Sequence, residues 1–303
     1  MRRPTRPGVL LCLLALLAGL LGMAACSREA PPAGAGDRLQ VTVSVLPQQY
    51  LVERVGGGHV AVNVLVGPGA EPHTYEPVAS QLRALSRSAA YFTVGVEFEA
   101  AWMDRFRSAN RQMEIVDTTA GIDLLPMVAH GHDGGAAHAG EERDPHVWTS
   151  PRRAAQMART ICEALVRLDG AHAADYRANL AALEEDITAL DADIRTTLAG
   201  AQGTQFLVFH PAWGYFAADY GLHQVPIEVG GQEPSAAELA ATIKTARAEG
   251  IRVVFAQPNL STRSAETIAA ELGGRVVLVD PLAEDWLSNL RKVAEALAAA
   301  EKG

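Results

Sequence analysis

YRANLAALEEDITALDADIRTTL, residues 176–198, is the stretch from which the architecture is read. Tyr176, Leu180, Leu183, Ile187, Leu190, Ile194 and Leu198 recur at intervals of three and four, which places one apolar stripe along a single helix face, while Glu184, Glu185, Asp186, Asp191 and Asp193 fall elsewhere. No Gly or Pro interrupts the run, so it predicts a straight helix of roughly 25 residues, near 38 Å at about 1.5 Å per residue. Fewer than four heptads favour a connecting rod over a coiled-coil arm, given what lies on either side.

On the amino-terminal side, short β-branched runs at 39–46, 60–66, 90–94 and 115–118 alternate with helical patterns at 48–55, 78–86 and 101–107. On the carboxyl-terminal side the alternation returns, with strands expected at 205–209, 224–228, 252–255 and 276–280. Helices are expected there at 236–248, 264–272 and 286–300. Strands alternating with helices predict parallel sheets covered on both faces. The fold class is therefore α/β, with two parallel-sheet lobes joined by one long rigid helix.

The first 26 residues differ in kind from the rest. Arg2, Arg3 and Arg6 precede the apolar run VLLCLLALLAGLL at 9–21, followed by Met23-Ala24-Ala25-Cys26. A charged start, a short apolar core and small residues predict a secretory signal over residues 1–25, and thirteen apolar residues are too few for a comfortable membrane span. The cysteine after small residues resembles the lipobox of bacterial lipoproteins, which makes Cys26 the lipidated mature terminus, although Met23 stands where Leu is usual. Arg2-Arg3 also suggests a twin-arginine export signal, which the residues that follow do not support. Residues 26–38, rich in Pro, Gly and Ala, read as a tether. The domain reading is then an amino-terminal lobe over 39–173, a linking helix over 174–200 and a carboxyl-terminal lobe over 201–303.

The chain carries 26 basic and 35 acidic residues, net −9, and loss of the three leader arginines deepens this to −12. With no basic run beyond the first six residues, a nucleic-acid partner is excluded. Cys12 leaves with the leader, Cys26 is acylated and Cys162 has no partner, so no disulfide framework is expected in this exported chain.

Four residues with metal-ligand chemistry fall at loop or strand ends. His73 follows the strand ending at Val66, His146 lies in the Pro-stiffened turn DPHVW at 144–148, His210 follows the strand at 205–209, and Asp280 ends the strand at 276–280. Loops after strand carboxyl ends line the ligand crevice of a parallel sheet, and three imidazoles with one carboxylate can complete a tetrahedral divalent site. Each also has a plain explanation as a turn residue or strand stop, and spacing alone leaves the two readings balanced. His59, His172 and His223 read as turn or exposed polar residues. The segment HGHDGGAAHAGEERD at 130–144 carries His130, His132 and His138 with Asp133, Glu141 and Glu142. It reads as an auxiliary, weaker metal-collecting loop over 129–143, or as a solvated linker.

GAEPHTYEP (69–77), DPHVW (144–148), FHPAWGYFAADYGL (209–222), EPSAAEL (233–239) and VVLVDPLAEDW (276–286) together resemble the cluster A-I solute-binding proteins. These extracytoplasmic lipoproteins feed zinc or manganese to ABC importers. The resemblance runs in the family's order over essentially the whole mature chain. It implies metal held in the cleft between the lobes by His73, His146 and His210, with Asp280 completing the site, where relatives instead use a residue beside the first histidine or water. It also implies the permease of an ABC importer as partner, a membrane anchor at the periplasm or cell surface, and a monomer. His210 stands where manganese carriers of the family place a carboxylate, which points to Zn, with Mn as the alternative cargo. A secreted zinc hydrolase would need an open coordination position and a general base, and neither HExxH nor GxSxG occurs. A third alternative is a structural or adhesive surface lipoprotein whose zinc only holds the lobes together.

Overall fold

The computed structural model describes residues 38–127, 143–228, 232–258 and 262–301. The first β-branched runs form β1 (Leu39–Val45), β2 (Val60–Val66), β3 (Ala90–Thr93) and β4 (Glu114–Asp117), all parallel, in the order β2-β1-β3-β4. Beyond the linking helix, β5 (Gln205–Val208), β6 (His223–Pro226), β7 (Val253–Ala256) and β8 (Arg275–Leu278) repeat the plan as β6-β5-β7-β8. Parallel neighbours need crossovers. Helices α1 (Leu46–Gly56), α2 (Ala79–Leu85) and α3 (Glu97–Ala109) supply them in the first sheet. Helices α6 (Gly214–Tyr220), α7 (Ala236–Ala248) and α8 (Arg263–Leu272) supply them in the second.

Between the sheets run α4 (Pro151–Leu168) and α5 (Ala173–Thr197), and α9 (Trp286–Glu301) closes the described chain. Helix α4 starts sharply because Pro151 occupies its first turn and the Ser150 hydroxyl accepts the Arg153 N–H, both favoured at helix starts. Helix α5 is the expected rod. Its stripe residues Tyr176, Leu183, Ile187, Leu190 and Ile194 are buried, and it packs on α1, α4 and α9. The stripe is thereby consumed within the chain, which removes the coiled-coil alternative.

One hydrophobic core runs from the first sheet through α4 and α5 to the inner face of the second sheet. Strand alternation divides the second sheet cleanly: Phe206, Val208, Val253 and Phe255 face this core, whereas Leu207, Val254 and Ala256 face a smaller cluster with Ile227, Ile251 and Ile268. Among the described residues no helix is long and apolar enough to cross a membrane.

Three departures from the sequence reading bear on the site. Helix α3 begins at Glu97 rather than near residue 101, because Glu97 and Glu99 in its first turn favour the positive end of the helix dipole, a polar start that apolar periodicity does not register. Strand β8 stops at Leu278, so Asp280 sits in the loop beyond it. Helix α6 was not expected. It is only seven residues long, with Tyr215, Phe216, Ala217 and Tyr220 buried and Ala218 exposed, too short a run for an amphipathic period to register.

Candidate metal centre

In both sheets the strand order reverses between the first strand and the third, and the loops beyond the carboxyl ends gather at that switch point. His73 lies in the loop after β2, His210 in the turn after β5, and His146 at the mouth of the short 3-10 turn that leads into α4. These loops bring the three imidazoles together. His73 Nε2 is 3.0 Å from His210 Nε2, which is 3.2 Å from His146 Nε2. Among the described residues these three form the group of His, Cys, Asp or Glu side chains whose ligand atoms all lie within 4.8 Å of one another.

The opposite ring nitrogens explain why the Nε2 atoms face inward. His73 Nδ1 meets Glu97 Oε2 at 2.5 Å, His146 Nδ1 meets Asp144 Oδ1 at 2.7 Å, and His210 Nδ1 meets Glu228 Oε1 at 2.8 Å. An ionised carboxylate only accepts, so each Nδ1 carries the proton and each Nε2 keeps its lone pair. Three lone pairs aimed at one point repel unless a cation lies between them. Two nitrogens on a tetrahedral zinc, with bonds of about 2.0–2.1 Å, stand about 3.3 Å apart, close to the spacings here. The carboxylate–imidazole pairing is the arrangement that fixes tautomer and ring orientation in metal sites.

The three imidazoles are not equivalent electrostatically. Burial works against a charge on His73, but the Glu97 hydrogen bond and charge, with Glu71 behind them, outweigh it and hold its pKa above the ordinary value. Burial dominates at His146 and holds its pKa below the ordinary value despite Asp144. Glu97 is correspondingly lowered: its burial is outweighed by the His73 hydrogen bond and charge. The turn that carries Glu97 is fastened by Glu99, which accepts the N–H groups of Val94 and Gly95 at 2.9 Å each and the Ser44 hydroxyl.

A cavity beside the triad offers about 10 Å³ to the centre of a water-sized sphere, room for about one ion or water. Glu71, Trp148, Gln257 and Asp280 line it together with the three histidines. Asp280 thus shares the cavity but lies outside the close cluster of three. Its carboxyl is pushed up by burial, against the Leu282 N–H that donates to it at 2.8 Å. Cys26, His130, His132 and His138 lie outside the described residues.

The orienting carboxylates were missed in the sequence, apart from a local signal at Asp144, two residues ahead of His146. Glu97 and Glu228 lie 24 and 18 residues from the rings they hold, with no pattern to mark them. Of the histidines read as turn or surface residues, His223 is exposed, but His59 and His172 stack at 3.9 Å between ring centres. Asp175 holds the first and Asp169 the second.

Two parallel α/β lobes, a rigid helix between them and a three-imidazole pocket at the switch points define a metal-binding solute-binding protein of the rod-linked class. The chain belongs to the ZnuA family, whose description, zinc-uptake complex component A, periplasmic, matches residues 41–300. That family comprises binding components rather than enzymes. A crystal structure of ZnuA is similar at 44% identity and a TM-score of 0.80, over 87% of this chain and 99% of that one. The high-affinity zinc uptake system protein ZnuA of Bacillus subtilis is 29% identical over 283 residues, 89% of this chain and 88% of that protein. The zinc-binding protein AdcA of Streptococcus pyogenes is 27% identical over 289 residues, 87% of this chain, and this chain spans only 56% of its length.

Proposed function

We propose that this chain captures Zn(II) outside the cytoplasm and hands it to the permease of an ABC importer. The observation that carries this reading is the convergence of three Nε2 lone pairs, each fixed by a carboxylate on the far side of its ring. His73, His146 and His210 are the nitrogen ligands, and Asp280, on the wall of the same cavity, closes the fourth position. A ligand set that saturates the ion leaves no coordination position for a catalytic water, as befits a carrier. Nitrogen donors favour zinc over manganese, whose preferred ligands are oxygens. The test is metal analysis of protein purified without chelator, followed by uptake in vesicles holding the importer. Stoichiometric zinc and transport that depends on this chain are expected, and protein that holds no zinc refutes the reading.

Release is easiest to couple to small movements. The rod has no Gly or Pro and is packed along its length on α1, α4 and α9, which supports rearrangement of loops at the cleft rather than wide opening of the lobes. The lobes are assigned as 39–173 and 201–303 with the linking helix at 174–200. His130, His132 and His138 act as a weaker collecting loop. Residues 1–25 are removed, Cys26 is lipidated, residues 26–38 tether the fold to the membrane, and the protein works as a monomer. Cys26→Ala should release it from membranes into the soluble fraction.

A further inference from the structure

We propose that Tyr215 is a positioning residue for His146: its hydroxyl is a strut that sets one zinc ligand against another across the two sheets. The proposal rests on the zinc reading above.

Tyr215 lies in the first turn of α6 and is fully buried. Its hydroxyl donates to the Asp144 carbonyl at 2.6 Å and accepts the Leu125 N–H at 3.0 Å. The Asp144 N–H in turn donates to the Leu125 carbonyl at 2.9 Å. The Asp144 backbone is thus held at both its N–H and its C=O, which fixes the point from which its side chain reaches His146. From there Asp144 Oδ1 accepts both the backbone N–H of His146 at 2.9 Å and its ring Nδ1–H at 2.7 Å. Asp144 and His146 are 2% and 3% exposed, so no water replaces these bonds cheaply.

The phenol itself is held. The Arg153 guanidinium lies over the ring, 4.7 Å from its centre, and is tied to Asp219, one helical turn beyond Tyr215. Burial pushes the phenol up to about 12, which keeps it protonated and donating. Helix α6 begins only four residues after His210. The hydroxyl therefore connects the segment that carries His210 to the carboxylate that aims His146, and the 3.2 Å separation of their Nε2 atoms is set through it. His73 has no equivalent, because Glu97 reaches it from within the first sheet's own segment.

A tyrosine that only fills the core would tolerate loss of its hydroxyl without affecting metal. The test is Tyr215→Phe in the full chain, read by zinc competition against a chelator and by the visible spectrum of the Co(II)-loaded protein. Tyr220→Phe is the control: it sits on the same helix, its hydroxyl bonds Asp191 at 2.8 Å, and it touches no part of the metal site. Because Tyr215 holds the ligand's partner rather than the ligand, Tyr215→Phe should weaken zinc by about 10-fold, the lower end of the range for loss of a ligand's own partner, and alter the cobalt spectrum, while Tyr220→Phe changes neither. Affinity within about two-fold of wild type, or an equal loss in Tyr220→Phe, overturns the strut. His146→Ala measured alongside separates the two claims: if it binds zinc as tightly as wild type, the zinc site itself is wrong and the strut falls with it.

Discussion

Trp286 donates its indole N–H to the carbonyl of Trp148 at 2.8 Å, while Trp148 donates its own to the carbonyl of Pro281 at 2.7 Å. Each tryptophan closes an Asp-Pro motif, DPHVW in one half of the chain and DPLAEDW in the other, so the loops that carry His146 and Asp280 are latched reciprocally. Both rings are buried, and Trp148 stands edge-on to His146 with ring centres 5.2 Å apart. The latch predicts that Trp286→Phe strands the Trp148 carbonyl in the interior, at a cost of about 1–3 kcal/mol. Chemical denaturation of the metal-free chain measures this, and an unchanged midpoint would show that the latch is incidental.

The carboxylates behind the rings should matter nearly as much as the rings. In Glu97→Gln, Asp144→Asn and Glu228→Gln the new amide can donate to Nδ1, which moves the ring proton to Nε2 and removes the lone pair. Each should weaken zinc by about 10–100-fold, whereas His73→Ala, His146→Ala and His210→Ala should weaken it further. Equal affinities for wild type and all three amide variants would show that tautomer control plays no part.

The pH dependence follows from the unequal rings. Protons compete with zinc, and His73, whose pKa is held up by Glu97, takes one before His146, whose pKa burial holds down. Zinc affinity should therefore begin to drop above the ordinary histidine value of about 6.5. Glu97→Gln removes the raising influence, so its affinity, though weaker on the plateau, should hold to lower pH before falling. Without metal, the His73 side of the pair stabilises the fold below the ordinary histidine value and loses that effect as the pH rises through the raised value. The Glu97 side, with its pKa lowered, contributes above the ordinary carboxylate value and loses its effect as the pH falls through the lowered one. Chelator competition across pH 5–8 and melting curves of the metal-free chain read both effects.

Selectivity should turn on His210. Exchanging its nitrogen for oxygen in His210→Glu should narrow the preference for zinc over manganese in direct competition. Asp280→Ala should weaken zinc less than any of the three His→Ala changes, because Asp280 lies outside the close cluster. A wild type that prefers manganese would overturn the choice of cargo while leaving the carrier reading intact.

Zinc at 100 times its dissociation constant should stabilise the fold by about 2.7 kcal/mol, readable as a shift in the melting curve. Deleting residues 130–138 should leave that shift in place, because all three close ligands lie outside the deleted segment. A lost shift would move the tight site into the loop.

Most of the fold is legible in residues 176–198 and in the β-branched runs on either side, because helix and strand periodicities come from neighbours a few positions apart. The rod, the eight strands and the loop positions of His73, His146 and His210 could all be read this way. The start of α3 at Glu97 could not, since a helix opened by acidic residues shows no apolar period, and neither could α6, whose seven residues are too few to show one. The chemistry of the site depended on tertiary structure. Glu97, Glu228 and Tyr215 reach their partners across 24, 18 and 71 residues, and nothing local marks any of them. The sequence by itself determined which imidazoles stand at strand ends; the folded chain decided which nitrogen of each faces the cavity, because that depends on a carboxylate brought to the far side of each ring, for two of the three from a distant segment.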